Sequence, residues 1–123
     1  MDSLGKKGEK TIACKLEKEG YIILECNWRT RYGEVDIIAL DRDTVVFIEV
    51  KTLINTNISD LDIIINKKKQ SRICKTAKYF LSNNRQYNRM NARFDVIVLQ
   101  SNPFLAEPLK ILHLKNAFGD CDE

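Results

Sequence analysis

The chain has 123 residues, of which 44% are apolar and 30% are charged, a balance that suits one globular domain with one core. No apolar run approaches the roughly 18 residues of a membrane span, and the charged N-terminal residues do not resemble a secretory signal. The net charge of +3 is too small to indicate a nucleic-acid partner by itself.

The cysteines bear on the cellular compartment. Zinc sites usually bring their ligands in close pairs, and a disulfide framework in a chain of this size would be denser. We therefore expect reduced thiols in a cytoplasmic protein. The four cysteines, which are spaced far apart, are Cys14, Cys26, Cys74 and Cys121.

The first predicted element is a helix from about residue 3 or 4 to Glu19, ended by Gly20. Glu9 points within roughly 60° of the apolar stripe of this helix, so it should face the body of the protein. An acid near a helix start is often only a partner of the helix dipole. The apolar stripe consists of Ile12, Ala13 and Leu16.

Three strands follow, at about residues 21–28, 34–40 and 45–51. The short turns that join them, at about 29–33 and 41–43, predict an antiparallel meander. The third strand opens with four apolar residues in succession, which is typical of a strand that is buried on both faces.

A second helix is predicted from Asn66, a suitable N-cap, to about Leu81, after an irregular segment at about 53–65. Its helical wheel has a basic face opposite an apolar face. The basic face holds Lys68, Arg72 and Lys75, and the apolar face holds Ile73, Ala77, Phe80 and Leu81.

The order helix, three-stranded meander, helix, two strands predicts an α/β fold with a mixed sheet flanked by helices. No repeat, low-complexity tract or linker divides the chain, so we predict a single domain over residues 1–118 and an acidic tail at 119–123. The elements after the second helix are a polar loop at about 82–90, a strand at 93–99, a connector at 103–108 and a final strand at 109–114.

Charged residues interrupt the third strand at its end. Glu49 and Lys51 project to the same face because side chains alternate along a strand, and Asp36 on the preceding strand should lie close to Glu49. A Glu49–Lys51 ion pair would explain these two residues, but neither Asp36 nor the inward-facing Glu9. Converging carboxylates repel each other, and their oxygens suit Mg²⁺. Spacing alone leaves a metal site and a structural ion cluster both open.

Gly33-Glu34-Val35-Asp36 followed by Glu49-Val50-Lys51 resembles the Asp…Glu-x-Lys signature of the restriction-endonuclease-like superfamily. More narrowly, the chain resembles the YraN-like family of uncharacterised bacterial proteins along nearly its whole length. Leu53 departs from the family pattern, which usually has an arginine there. The residues that carry the resemblance are Gly5, Gly8-Glu9, Ala13, Gly20-Tyr21, Asn27, Arg29, Gly33-Glu34-Val35-Asp36, Phe47-Ile48-Glu49-Val50-Lys51, Lys69, Arg72, Ala77, Arg93-Phe94-Asp95-Val96 and Asn116-Ala117-Phe118.

The resemblance implies a restriction-endonuclease-like core and a metal-dependent nuclease that hydrolyses phosphodiester bonds in DNA, with branched or otherwise structured DNA as a candidate substrate. It implies that Asp36 and Glu49 bind Mg²⁺ or Mn²⁺, and that Glu9 and the Val50 carbonyl complete the site. Lys51 would orient and help deprotonate the attacking water, or stabilise negative charge on the phosphate.

Basic residues also suggest contact with nucleic acid, with DNA favoured over RNA. The ridge on the second helix could contact phosphates, and the aromatic residues that flank two arginines could stack on an unpaired base or support a phosphate contact. No segment resembles a base-reading helix, so binding should follow backbone or shape. The predicted contacts are Arg29, Arg31, Lys68, Arg72 and Lys75, and the aromatic neighbours are Trp28, for which core packing is the alternative, and Tyr32.

Other charged or polar residues are interpreted as structural. Arg93 and Asp95 are expected to pair, Glu34 to lie at the rim of the site, and His113 to pack on an apolar strand. Leu53 and the modest basic surface favour an alternative, a non-catalytic nucleic-acid-binding module. A subunit that binds another protein, with structural acids, is a third hypothesis. Analogy with related resolvases leaves a homodimer open.

Overall fold

The protein is described here by a computed structural model that covers residues 2–54 and 65–119. Most of the predicted irregular segment, and all of the predicted tail except Gly119, lie outside the described residues. The helices and strands are α1 (Leu4–Lys18), β1 (Ile22–Thr30), β2 (Gly33–Asp41), β3 (Thr44–Thr52), α2 (Lys67–Ser82), β4 (Asn91–Leu99) and β5 (Ile111–Phe118). This order confirms the predicted α/β fold class.

The five strands form one mixed sheet in the order β1-β2-β3-β4-β5. The predicted antiparallel meander of β1, β2 and β3 is confirmed. β4 then runs parallel to β3, with Glu49 opposite Val96, and β5 returns antiparallel to β4. Because parallel neighbours need a crossover connection, α2 lies between β3 and β4 in the chain.

Both helices begin at a capping side chain, and the cap predicted for α2, Asn66, is confirmed. The Ser3 hydroxyl accepts a hydrogen bond from the Lys6 N–H at 3.2 Å, and the Asn66 side chain accepts one from the Lys69 N–H at 2.9 Å. Each cap satisfies a backbone donor that lacks a partner within the first turn. Gly20, with φ +96°, follows α1 in the left-handed conformation that commonly ends a helix.

The core has two parts, one on each face of the sheet. The α1 face contains Ile12 and Leu16 with Ile48 of β3, whereas the α2 face contains Phe80 with Phe47 of β3. Successive residues of β3 therefore face opposite helices. This arrangement confirms that β3 is buried on both sides, as its run of apolar residues predicts.

Three strands differ from the predictions by two or more residues at one end or both: β1, β5 and β4, which starts at Asn91 rather than at residue 93. β1 continues to Thr30, so the turn before β2 is only two residues long. The last strand starts at Ile111 and reaches Phe118, later and further than predicted, because pairing with β4 continues to Phe94↔Phe118. The predicted strand ended too early because residues 115 and 116 are polar. The sequence alone does not show that pairing with β4 continues beyond them.

The prediction of four reduced cysteines is wrong for Cys74, which forms a disulfide; Cys14 and Cys26 are free. Spacing along the chain failed here because residues far apart in sequence can be neighbours in the fold. Among the described residues, no helix combines the length and apolar character that crossing a membrane requires.

Candidate active site

The site lies where β2 and β3 diverge. The paired residues of these strands run from Asp41↔Thr44 to Ile37↔Ile48, and Asp36 and Glu49 are the next residue on each strand. Beyond the last backbone pair of β2 and β3, the Asp36 side chain joins the two strands: its Oδ2 accepts a hydrogen bond from the Val50 N–H at 2.8 Å. Both carboxyl groups are buried, with Asp36 8% and Glu49 4% exposed.

Regular alternation is broken at Asp36. Val35 packs in the α2-face core, whereas Ile37 packs in the α1-face core, although residues two apart normally share a face. Asn27, which lies between the β1 residues paired with Val35 and Ile37, has φ +54°, outside the strand region. The local irregularity places Asp36 between the two layers.

Asp36 consequently lines two open cavities. The first, which we call the α1 cavity, has a volume of about 280 Å³ and also contains Glu9, Cys26 and Asn27. The second, the α2 cavity, has a volume of about 340 Å³ and also contains Glu49, Lys69 and Arg72 among its lining residues. The α2 cavity is thus the one that holds both strand carboxylates together with cations.

The Asp36 and Glu49 carboxyl groups line the same cavity, where two buried like charges disfavour ionisation of both. Burial, the negative charge of Glu49 and the more weakly acting Glu9 raise the pKa of Asp36 to about 8, against the opposing effect of the Val50 N–H. Near neutral pH, without a cation, the pair therefore holds one proton.

Two lysines contact Glu49. The Lys51 Nζ lies 3.4 Å from Glu49 Oε2, and the Lys69 Nζ, from the first turn of α2, lies 2.5 Å from the same oxygen. Burial lowers the pKa of Lys69, but its hydrogen bond and attraction to Glu49 outweigh that effect, so the pKa is raised. The remaining charge of the acid pair is thus balanced by lysines from β3 and α2.

Lys69 and Asn27 were not predicted as site residues. Lys69 falls at about 100° on the wheel on which Lys68 is zero, between the basic and apolar faces. That position is a usable signal, because a lysine at the edge of an apolar face reaches toward the sheet. Asn27 gave no signal beyond the family resemblance, since its role depends on a local irregularity in β1.

Glu9 lies at the α1 side of the site. Its side chain is 18% exposed, and the nearest cation, Lys6 Nζ, lies 3.7 Å from Oε1, beyond hydrogen-bond distance. Glu9 Oε1 and Asn27 Oδ1 are both buried without a hydrogen-bond partner among the described residues. Two unsatisfied oxygens beside one cavity are unusual and suit a cation or an ordered water.

Gly8 allows α1 to approach this position. A Cβ atom at Gly8 would lie 2.1 Å from Thr52 Oγ1, a distance that no real contact tolerates. The glycine therefore permits the helix to sit close to the end of β3, which brings Glu9 toward the two strand carboxylates.

The oxygen ligands present fit a hard divalent cation. Asp36 and Glu49 adjoin each other, and the repulsion that a proton now relieves would be relieved equally by Mg²⁺ or Mn²⁺. Glu9 stands further off, since no three histidine, cysteine or acidic side chains within residues 2–54 and 65–119 form a single group able to hold a metal. Of the three acids expected to converge, the described structure brings Asp36 and Glu49 to one cavity and does not group Glu9 with them.

The predicted nucleic-acid contacts fall in two places. Lys68, Arg72 and Lys75 are exposed on α2, and Arg72 also lines the α2 cavity. Arg31 is exposed in the turn between β1 and β2, whereas Arg29 Nε contacts Glu34 Oε1 at 2.7 Å. Because Glu34 already pairs with Arg29, it is a rim residue and not a member of the acid cluster.

Leu53 packs against the α2-face core, and its N–H donates to the Leu99 carbonyl at 2.9 Å. The position at which the family pattern has an arginine is therefore occupied by a partly buried apolar side chain. Any phosphate contact from this position is lost.

A third buried acid, Asp95, belongs to a separate network. As expected, it pairs with Arg93, at 3.0 Å from Nε to Oδ1, but His113 does more than pack, because its Nε2 lies 2.8 Å from Asp95 Oδ2. Burial raises the pKa of Asp95, yet hydrogen bonds from His113, Arg93 and the Asn116 N–H together lower it. This acid already has its partners, which supports a structural role.

The five-stranded mixed sheet, with two acids at the divergence of neighbouring strands and a lysine two residues after the glutamate, defines a restriction-endonuclease-like core. A family model described as "Uncharacterised protein family UPF0102" matches residues 8–99. The chain belongs to this family, which confirms the resemblance to YraN-like proteins.

Similar proteins cover nearly the full length. A UPF0102 protein of Treponema denticola is 67% identical over 98% of each chain. One from Treponema pallidum is 56% identical over 95% of this chain and 93% of its own. One from Alkaliphilus oremlandii is 42% identical over 94% of this chain and 97% of its own.

Proposed function

We propose that this protein is a metal-dependent nuclease that hydrolyses phosphodiester bonds in DNA. The observation that carries the proposal is the buried pair of Asp36 and Glu49, which lines an open cavity and contacts Lys51 through Glu49. Burying such a pair costs stability, and a cation site gives a functional reason for retaining it.

Asp36 and Glu49 would hold the Mg²⁺ or Mn²⁺ ion, with Glu9 and the Val50 carbonyl as the further proposed ligands. A bound ion would supply Lewis acidity toward a phosphate oxygen and acidify a water molecule. The requirement for oxygen ligands is met without histidine or cysteine, in keeping with a hard cation.

The chain's own cations have separate proposed roles. The Lys51 amine, 3.4 Å from Glu49, would orient the attacking water or stabilise charge that develops on the phosphate. Arg72, at the border of the α2 cavity, would hold a neighbouring phosphate. Lys69, whose Nζ contacts Glu49 Oε2, would balance the negative charge of that side chain.

DNA is the proposed partner, bound mainly through its phosphates by the exposed face of α2. Branched or otherwise structured DNA remains the proposed substrate. The cytoplasmic location and the homodimer also remain proposals. For the homodimer, the oligomeric state in solution is the relevant measurement.

Cleavage of labelled DNA tests the proposal. Purified protein is incubated with duplex, single-stranded, flapped and four-way DNA, with Mg²⁺ or Mn²⁺ and with chelator. We expect metal-dependent cleavage of at least one substrate, and a loss of at least about 100-fold in Lys51→Ala, the usual scale for a group engaged in proton transfer. Lys110→Ala, which changes an exposed lysine outside the site, is the matched control. Equal cleavage by Lys51→Ala and wild type would remove Lys51 from the mechanism.

A non-catalytic nucleic-acid-binding module is the second candidate. Two observations favour it: Leu53 packs into the core, and the described residues contain no three-membered metal-binding group. Calorimetric titration with Mn²⁺, with and without DNA, separates the candidates. Salt-sensitive DNA binding with no bound cation under either condition would support the module.

A further inference from the structure

An aromatic surface lies beside the α2 cavity. The Tyr32 and Tyr79 rings are 5.9 Å apart, centroid to centroid, and Tyr79 is 6.1 Å from Trp28. Trp28 in turn packs edge-on against Phe80 at 5.2 Å, which anchors the group to the core. We call Tyr32 and Tyr79 the tyrosine platform.

The tyrosine platform is open to solvent. Tyr32 is 37% and Tyr79 45% exposed, and they are the two tyrosines among the exposed large apolar or aromatic residues of the described chain. Large exposed rings carry a solvation penalty and often mark a binding surface. Tyr79 packs against Trp28 and Tyr32 packs against Tyr79, so the rings are held in place while both stay exposed.

Positive charge surrounds the tyrosine platform. Tyr79 falls at about 20° on the wheel of α2, between Arg72 at about 40° and Lys75 at about 340°, so it belongs to the basic face. From the other side, the Arg31 guanidinium lies 5.1 Å from the centre of the Tyr32 ring. Alternating rings and cations complement a strand in which bases alternate with phosphates.

The tyrosine platform also continues into the candidate active site. Gly33, next to Tyr32, lies against Arg72 and Thr76, whose nearest atoms are 3.4 Å from a Cβ built at the glycine. Gly33 and Arg72 both line the α2 cavity. Arg72 and Tyr79 are separated by about 10 Å along the helix, at 1.5 Å per residue, roughly the span of three stacked nucleotides.

We propose that Tyr32 and Tyr79, whose ring planes are inclined at 60°, each stack on an unpaired base of a nucleic-acid strand and guide that strand toward the α2 cavity. The part concerning the cavity rests on the proposed function; the stacking does not. The platform would select a single-stranded segment or flap over continuous duplex, because a paired base offers its face only to its neighbours in the stack.

Binding without metal tests the platform separately from catalysis. Fluorescence anisotropy with labelled oligothymidine of about 12 nucleotides, a length that single-strand sites cover, is measured in chelator. Tyr32→Ala and Tyr79→Ala should each weaken binding at least about 5-fold, whereas the matching Tyr→Phe variants retain the ring and should bind nearly as wild type. Phe104→Ala, which removes an exposed ring (47%) elsewhere, is the control. Thermal unfolding verifies that each variant is folded.

An oligonucleotide without bases separates stacking from phosphate contact. Wild type should bind the abasic strand more weakly than oligothymidine, and Tyr79→Ala should produce no further loss. Oligouridine is titrated in parallel with oligothymidine to distinguish RNA from DNA. The strand that binds at the tyrosine platform is the one whose affinity falls in Tyr79→Ala. If neither strand loses affinity in Tyr79→Ala, the platform is overturned.

The two proposals fail in different ways. Absence of cleavage with every metal and substrate would overturn the nuclease and leave the metal-free titration unaffected. Cleavage of a single strand at equal rate and affinity by wild type and the two alanine variants would overturn the platform and leave the nuclease in place.

Discussion

Asp36 makes the folded protein sensitive to pH in a definite direction. Its pKa rises from an ordinary 3.8 to about 8, first because of burial and then because of Glu49. Between these values the folded state keeps a proton that the unfolded state releases, so stability falls as pH rises. The stabilising effect of the proton is complete below about pH 4 and lost as pH passes through about 8.

Asp36→Asn should remove this dependence. The amide can accept from the Val50 N–H and donate to Glu49, as the protonated acid does. We expect the variant to match wild type near pH 4 and to exceed it by at least about 1 kcal/mol near pH 8 without metal. Urea unfolding across this range measures the difference. Glu34→Gln, which neutralises a rim acid, is the control, and a difference independent of pH would contradict the assigned pKa.

Lys69 should compete with a metal ion for Glu49, because its Nζ lies 2.5 Å from Oε2. Removing a positive charge from a buried carboxylate strengthens the attraction of that carboxylate for another cation. Lys69→Ala should therefore bind Mn²⁺ several-fold more tightly than wild type in calorimetric titration. Lys68→Ala, its exposed neighbour, should change the affinity less. Unchanged or weaker binding in Lys69→Ala would show that Glu49 is not a ligand.

The residues predicted from sequence were those whose type conflicts with their setting. Glu49 and Lys51 stand out because they follow a strand of buried apolar residues, and Asp36 because a hairpin brings it near. Lys69 did not stand out, and neither did the contact of His113 with Asp95, because the partner of each comes from another element. Sequence periodicity reports which face a residue occupies, but not which residue of another element it meets.

At the scale of elements, the approach of α1 to the end of β3 depends on two small positions. Gly8→Ala should be destabilising in wild type, where the new Cβ meets Thr52 Oγ1 at 2.1 Å. In a Thr52→Ala background the same change should stabilise the protein by about 0.5–1 kcal/mol, because alanine favours helix more than glycine does. Denaturant unfolding of the four proteins gives the coupling between the two sites.

Gly5→Ala is the matched control for this cycle, because a Cβ at Gly5 meets nothing within 4 Å. It should stabilise the helix equally in both backgrounds. Additive effects of Gly8→Ala and Thr52→Ala would mean that the helix does not approach β3 as closely as described.

Helices and central strands were predictable because caps and apolar periodicity are local signals. Asn66 marks the start of α2, and the uninterrupted apolar run of β3 marks burial on both faces. The extension of β5 to Phe118 was not predictable, because it follows from pairing with β4. The disulfide at Cys74 depends in the same way on a contact between distant parts of the chain.

For the whole molecule, the net charge of +3 understates the field that a DNA strand would meet. Opposite charges are partly paired within the fold, whereas the solvent-exposed side of helix α2 presents Lys68, Arg72 and Lys75 together. Affinity should therefore fall steeply with salt, although the total charge is small.

Replacing a single basic residue should change the slope of that salt dependence by a predictable amount. Arg72→Ala and Lys75→Ala should each reduce the slope of log affinity against log salt by about 0.7 for a single strand, one released counterion for each lost phosphate contact. Anisotropy titrations over a range of NaCl concentrations measure the slope. Lys110→Ala should leave it unchanged, and a slope that does not move in Arg72→Ala would place the strand elsewhere.

Because Asp36 borders cavities on both sides of the sheet, the same carboxyl can be reached by two unrelated routes. The α2 cavity is lined by Glu49, Lys69 and Arg72. The α1 cavity is lined by Lys6, Glu9 and the free thiols of Cys14 and Cys26, and these thiols distinguish it from the α2 cavity. A small inhibitor built for the thiol-lined mouth could therefore disable the carboxyl from behind. Its potency should then be indifferent to how much DNA is present.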